Sequence, residues 1–386
     1  MLKISGVYSA ALTPIKKDLT VNKDLYLRHC QYLMRQGHDG LAIFGTTGEA
    51  NSFSIKEKCE TIDFLITNKI DPKVLIPGTG SSSVEDAIFM TKHAVQQDLR
   101  GVLLLPPFYY KNVSDEGVIN YYRKIIEDVG SSNFQYLLYN IPQTSSVAIN
   151  FNIIEQLLKL YPENVVGIKD SSGDIDHMFK TIKYFDDFAV FCGHDSLALR
   201  VCRRGGAGAI TAGTNIAGKL LSFIIHNFKR QNEIENFENL QVLMERIRAT
   251  LTSSEPISTM KAYFSIIDNI PEWNILMPPL SKIEEEQWGA PLASKKVFDY
   301  IFKYDPYYNV KKQKYPFLYF SNSASDPRVG FYESLKIIQK IRSCDLSNNP
   351  IIMRCDLDAS HGGASSRWDA LKKDVIPEQA WILKLF

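Results

Sequence analysis

Eight short apolar runs, each closed by glycine, proline or a small polar residue, dominate the first half of this chain. They are GVYSAALTP from Gly6, GLAIFG from Gly40, KVLIPGTG from Lys73, GVLLLPP from Gly101, QYLLYNIP from Gln135, VVGIKDSSG from Val165, FAVFCGHD from Phe188 and AGAITAG from Ala207. The runs are continuous rather than alternating, the pattern of parallel strands covered on both faces. Their starts are spaced by about 20–35 residues, the size of a βα unit. Helical patterns lie between them. Leu25, His29, Tyr32 and Leu33 share one helical face, and Gly37 is placed to end that helix. Ser54-Ile55-Lys56-Glu57 and Ser82-Ser83-Val84-Glu85 read as capping boxes that start the next two. Eight such units predict an α/β chain closed into a (β/α)8 barrel that ends near Gly213. The alternative is an open, doubly wound sheet. It carries fewer strands and a glycine-rich dinucleotide loop, and no G-x-G-x-x-G follows the first run here.

Composition narrows the function. The 386 residues allow one barrel plus an appendage. Lys and Arg number 44 against 43 Asp and Glu, a net charge of +1 that gives no electrostatic reason to seek nucleic acid or anionic membrane. The longest apolar runs fall far short of the ~20 residues of a membrane helix. The opening MLKISGVYSA lacks the apolar stretch of a secretory signal. Six scattered cysteines form no C-x-x-C pair, so neither a disulfide framework nor a zinc site is expected, and a reducing cytoplasm is the natural compartment.

After the barrel, residues 217–270 read as helical throughout, with Phe228, Phe237, Leu240, Leu243 and Ile247 at suitable spacing. A proline pair, Pro278 and Pro279, marks a break, and a domain boundary is expected near Leu280. Beyond it lysine and tyrosine are dense, and strand runs recur at Phe317–Phe320 and Ile351–Arg354.

A barrel works at the carboxyl ends of its strands, so those ends nominate the site. Lys169 follows the apolar Val-Val-Gly-Ile of the sixth run. An ammonium there is costly to desolvate, so its pKa is expected to fall, making a nucleophile that can form a Schiff base with a ketone. The competing reading is a salt bridge to Asp170 or Asp195 at the rim. Tyr109, Tyr139 and Thr46 are strand-end hydroxyls that could relay protons; each tyrosine alone reads more simply as a packed ring with a satisfied hydroxyl. The turn Gly45-Thr46-Thr47-Gly48 lets backbone N–H groups converge, a seat for a carboxylate.

GTTGE, the PFYY stretch, YN-x-P, GIKDSSG and the GHD turn, in this order, resemble the dihydrodipicolinate synthase / N-acetylneuraminate lyase family over about residues 4–280. The resemblance implies a barrel with a C-terminal helical region and Schiff-base chemistry on a 2-oxo acid such as pyruvate. By the same resemblance Lys169 is the Schiff-base lysine, and Tyr139, with Thr46 and Tyr109, shuttles protons. The Thr46-Thr47 turn binds the carboxylate, and the backbone of Ile210 lines the pocket. The tyrosine like Tyr109 often reaches a neighbouring subunit, which implies a homodimer or homotetramer. No metal or organic cofactor is needed, since the protonated imine is the electron sink. Synthases of lysine biosynthesis carry an arginine where this chain has Thr144. A hydroxyl cannot replace a bidentate guanidinium clamp. The expected reaction is therefore C–C bond formation or cleavage between a 2-oxo acid and an aldehyde or sugar-acid substrate, or dehydration of a sugar acid, with 4-hydroxy-tetrahydrodipicolinate synthesis the alternative.

From about residue 281 to Phe386 the chain resembles the end of oligopeptidase B, of the prolyl oligopeptidase family, through EEQWGAPL, YDPYYNVKKQKYPFLYF, SASDPRVGFYESLKII and DASHGGASSRWDALK. This implies a partial α/β-hydrolase fragment in which Asp326 and His361 are remnants of a Ser-His-Asp triad. No G-x-S-x-G occurs anywhere, so serine peptidase activity is not expected of it. A non-catalytic barrel with an interaction tail is the third reading.

Overall fold

A computed structural model describes residues 4–252, 255–267, 294–323, 331–347 and 349–356. The chain divides into two compact units, residues 1–276 and 277–386.

In the first unit seven parallel strands alternate with helices. The strands are β1 (Gly6–Ala10), β2 (Gly40–Ala42), β3 (Val102–Leu104), β4 (Tyr136–Asn140), β5 (Val165–Asp170), β6 (Ala189–Cys192) and β7 (Gly208–Thr211), in the sheet order β2-β1-β7-β6-β5-β4-β3. The run from Lys73 closes the gap between β2 and β3. It does so through the parallel bridges Leu41–Leu75 and Gly78–Leu103. Ile76 N–H donates to Leu41 O (2.9 Å), and Leu103 N–H donates to Pro77 O (2.9 Å). Sequence reading places a regular strand here; Pro77 has no N–H to offer, so the stave is held at separate points rather than by an unbroken ladder. With this eighth stave the sheet is a closed (β/α)8 barrel, not an open doubly wound sheet. Gly208 lets it close: at φ 149° its Cα lies against the Gly6 carbonyl, where a Cβ could not fit.

The helices wrap the staves: α1 (Lys23–Arg35), α2 (Ile55–Thr67), α3 (Val84–Gln96), α4 (Asp115–Val129), the short α5 (Pro142–Ser145), α6 (Phe151–Leu160), α7 (Ile175–Tyr184), α8 (Ala198–Arg203) and α9 (Thr214–Asn227). Gly37, at φ 87°, follows the last turn of α1 as its spacing predicts. Ser54 caps α2 by accepting from Glu57 N–H (3.2 Å). The return half of that box is absent, because Glu57 Oε1 accepts from Val21 N–H instead (2.7 Å). The cap of α3 is Ser83, one residue later than the sequence reading, since Asp86 supplies the N–H that its hydroxyl accepts.

Two apolar layers result. One lies between sheet and helices. The other fills the barrel with Tyr8, Ala42, Ile76, Leu103, Leu137, Phe191 and Ile210, one from each of seven staves. Helices α10 (Phe237–Thr252) and α11 (Pro256–Ile267) follow the barrel. The helical reading of 217–270 thus breaks at residues 228–236 and at Glu255. Phe237 and Met244 are buried on α10, whereas Leu243 is 47% exposed; Met244 takes the inward place. Met260 and Phe264 of α11 pack with Leu12, Leu25 and Leu251, a small third core.

The second unit contains α12 (Lys295–Phe302), β8 (Leu318–Ser323), α13 (Phe331–Cys344) and β9 (Ile351–Asp356). β8 and β9 pair in parallel, so the described part is one βαβ unit. Its buried centre is Ile338, Ile341 and Ile351. Asp326 and His361 lie outside the described residues.

Candidate active site

β4 and β5 set the site by register. Parallel pairing puts Leu137 beside Gly167, Tyr139 beside Lys169 and Asn140 beside Asp170, and Lys169 in turn beside Phe191 of β6. Because successive side chains alternate faces, Tyr139, Lys169 and Phe191 form one row inside the barrel, while Asn140 and Asp170 face the helices. Tyr139 and Lys169 are each 3% exposed. The Lys169 Nζ stands 4.2 Å from the centroid of the Tyr139 ring.

The salt-bridge reading of Lys169 does not hold among the described residues: neither nominated carboxylate pairs with it, and each meets another cationic or donor side chain. Asp170 Oδ2 accepts from His177 Nδ1 of α7 at 2.6 Å, and its Oδ1 accepts from Ser172 Oγ–H (2.6 Å), Ser172 N–H (2.9 Å) and Asn140 Nδ2 (3.3 Å). Burial pushes the Asp170 carboxyl up, but those hydrogen bonds outweigh it and hold it below its ordinary value. The hydrogen bond to Asp170 raises His177 above its own, against opposing burial. Asp195, fully buried, pairs with Arg248 of α10 at 3.0 Å. Asn140 also accepts from Ile149 N–H at 3.0 Å, so the outward row clamps β4 to β5 behind the inward one.

The turn after β2 completes the site. Thr46 Oγ1 and Tyr139 OH share a 3.2 Å hydrogen bond in which either can donate. The turn is bracketed by two non-glycine residues with left-handed backbones, Phe44 (φ 51°) and Glu49 (φ 53°). Each costs on the order of 1–2 kcal/mol. Glu49 N–H donates to Thr46 O (3.0 Å), and Ala50 N–H to Gly45 O (3.2 Å). Among the described residues the N–H groups of Thr46 and Thr47 have no acceptor. The Glu49 carboxylate is ion-paired with Lys261 of α11, a lysine with no exposed surface. Burial lowers the pKa of Lys261, opposed by Glu49.

A cavity of about 150 Å³ opens beside these groups, lined among others by Thr46, Glu49, Leu105, Phe108, Tyr139 and Thr144. Thr144 is thus at the cavity. Ile210 lies in the interior layer, paired with Tyr8. The structure therefore brings together Lys169, Tyr139 and Thr46, with Thr47 next in the same turn and Ile210 in the interior cluster that holds Tyr139; Lys169, Thr47 and Ile210 do not line the cavity. It does not bring Tyr109 to them: that ring is 69% exposed and touches Tyr110 edge-on at 5.1 Å. Among the described residues no group of His, Cys, Asp and Glu is arranged to hold a metal. Sequence reasoning quoted Glu49 and Asn140 within the GTTGE and YN-x-P motifs without giving them a role, and missed the supporting residues His177, Arg248 and Lys261. Of those three, Lys261 carried a local signal, a lone cation within the apolar MKAYFSII.

Residues 3–293 match the dihydrodipicolinate synthetase family. The chain belongs to that family. Residues 250–386 match the prolyl oligopeptidase family. An uncharacterized DapA-like lyase of Chloroflexus aurantiacus is 30% identical over 301 residues, 77% of this chain and 98% of that protein. The solved dihydrodipicolinate synthase of Agrobacterium tumefaciens is 28% identical, with a TM-score of 0.63 over 71% of this chain and 92% of its own. The 2-keto-3-deoxygluconate aldolase of Picrophilus torridus is 25% identical, with a TM-score of 0.62 over 69% and 94%.

Proposed function

We propose that this protein is a class I lyase that forms a Schiff base between Lys169 and a 2-oxo acid such as pyruvate. The observation that carries the reading is the interior row: a buried amine without an ion-pair partner among the described residues, set against the ring of Tyr139, whose hydroxyl meets Thr46. The neutral amine adds to the ketone carbon, and the carbinolamine loses water to give an iminium. That electron sink accepts the pair released by deprotonation at C3 or by cleavage of the C3–C4 bond, leaving an enamine. Tyr139 and Thr46 exchange the protons, each hydroxyl being donor and acceptor. The free N–H groups of Thr46 and Thr47 hold the carboxylate. Protonation of the enamine at C3, or its addition through C3 to an aldehyde carbonyl, regenerates the iminium, and hydrolysis of that iminium returns product and free lysine.

The second substrate is read from Thr144. It lines the cavity with a neutral hydroxyl, which supports an uncharged aldehyde or a sugar acid over the acidic aldehyde of a synthase. The exposed pair Tyr109 and Tyr110 supports a homodimer or homotetramer in which Tyr109 serves a neighbouring site. Six free cysteines support a cytoplasmic setting. Among the described residues no helix is long and apolar enough to cross a membrane. A screen of sugar acids and aldehydes for pyruvate release or uptake tests the reading. Turnover with neutral aldehydes is expected; turnover confined to aspartate semialdehyde would favour the synthase instead.

A further inference from the structure

Glu49 poses an electrostatic problem. It lies two residues after Thr47, lines the same cavity, and its N–H is bonded to Thr46 O at 3.0 Å. A carboxylate arriving at the Thr46-Thr47 amides would meet a fixed, half-buried anion of its own sign. The helices beyond the barrel hold the counter-charge. Lys261, on α11, is completely buried and is ion-paired with Glu49, and its neighbours Met260 and Phe264 anchor that helix in the third apolar core.

We propose that Lys261 is a positioning residue that neutralises Glu49 and holds its left-handed backbone, so that the Gly-Thr-Thr-Gly turn can receive the carboxylate of a 2-oxo acid. The inference rests on the Schiff-base reading of Lys169, and it assigns the helical extension a role at the barrel mouth. Two features support it independently of charge. Glu49 sits in a backbone region that non-glycine residues rarely occupy, so something must over-determine it. Lys261 keeps its whole side chain in the interior and, unlike the buried Lys169, meets a carboxylate there, that of Glu49.

The test is a charge series read with two ketones. Wild type, Lys261→Met, Glu49→Gln and the double replacement are titrated with pyruvate or with hydroxyacetone, a neutral ketone, under borohydride, and the adduct on Lys169 is measured by mass. The ratio of half-saturating pyruvate to half-saturating hydroxyacetone isolates the carboxylate. It is expected to rise about tenfold in Lys261→Met, where an uncompensated anion remains, and to fall severalfold in Glu49→Gln, where the cation remains. The double replacement, neutral again, is expected to return within about threefold of wild type. Stranding the Glu49 charge destabilises the Lys261→Met fold, so Glu49→Gln and the double replacement keep the test decisive if that variant does not fold. A ratio unchanged across the series overturns the proposal, and so does a double replacement whose ratio stays away from wild type. Failure of wild type to form any pyruvate adduct on Lys169 is a different result: it removes the Schiff-base reading on which the inference stands.

Discussion

The two units of this chain both contain parallel βαβ connections, yet their described cores differ greatly in size. The barrel closes on itself, and seven staves each send a side chain into a common interior. Every described strand there has a partner on both sides except where Leu75–Thr79 stitches β2 to β3. The second unit pairs β8 with β9 over a buried centre of three isoleucines. The difference teaches that a buried amine can be held in place only by a frame with enough apolar area and enough paired backbone to bear its cost. In the barrel that frame is two-sided: an inward row carries Tyr139 and Lys169, and the outward row of Asn140 and Asp170 locks their register.

The largest expected effect separates the inward row from everything else. Lys169→Ala is expected to lower turnover by at least roughly 10³-fold while the fold, read by circular dichroism and melting, persists. A variant that kept turnover would remove the lysine from the mechanism. Next comes the hydroxyl beside it. Tyr139→Phe keeps the ring against Lys169 but loses the proton carrier, so kcat should fall about 10²–10⁴-fold while the pyruvate adduct on Lys169 still forms. Loss of the adduct would assign the phenol a structural role instead.

The comparison of units is sharpened by hydrogen exchange. Amides of β4 and β5 are expected to exchange at least about a hundredfold more slowly than those of β8 and β9, since the smaller centre protects less. Equal protection would show that the second unit has more support than its described core. The smallest effect lies on the outward row. His177 has its pKa raised from 6.5 and Asp170 has its lowered from 3.8. The histidine's contribution is therefore complete below its unfolded value and fades as pH rises through its folded one; the aspartate's is complete above its unfolded value. Their pair is strongest between the two. His177→Ala should cost about 1.5–3 kcal/mol near pH ~5.5 and less near pH ~9, measured by urea unfolding. A loss that did not shrink with pH would mean that the ring contributes by packing alone.

Much of this was legible before the structure. Continuous apolar runs at βα spacing revealed the barrel because burial on both faces leaves no room for alternation. Strand ends located Lys169, Tyr139 and Thr46 because a barrel fixes which end faces the mouth. Other features were not legible, for physical reasons. Pro77 breaks a ladder without breaking the hydrophobic pattern, so the third stave looked regular. The cap of α3 moved to Ser83 because two adjacent serines offer the same hydroxyl. Tyr109 resembles a relay tyrosine in sequence, but its ring is exposed, and no local pattern tells which strand-end tyrosine is buried. Lys261 pairs with Glu49 across 212 positions of sequence, a distance no periodicity spans.

The most direct test of the central idea is reductive trapping. Incubating the full chain with pyruvate and borohydride, followed by peptide mass mapping, should leave a reduced pyruvate adduct on the peptide that bears Lys169 and nowhere else. An adduct on another lysine, or none at saturating pyruvate, would contradict the account.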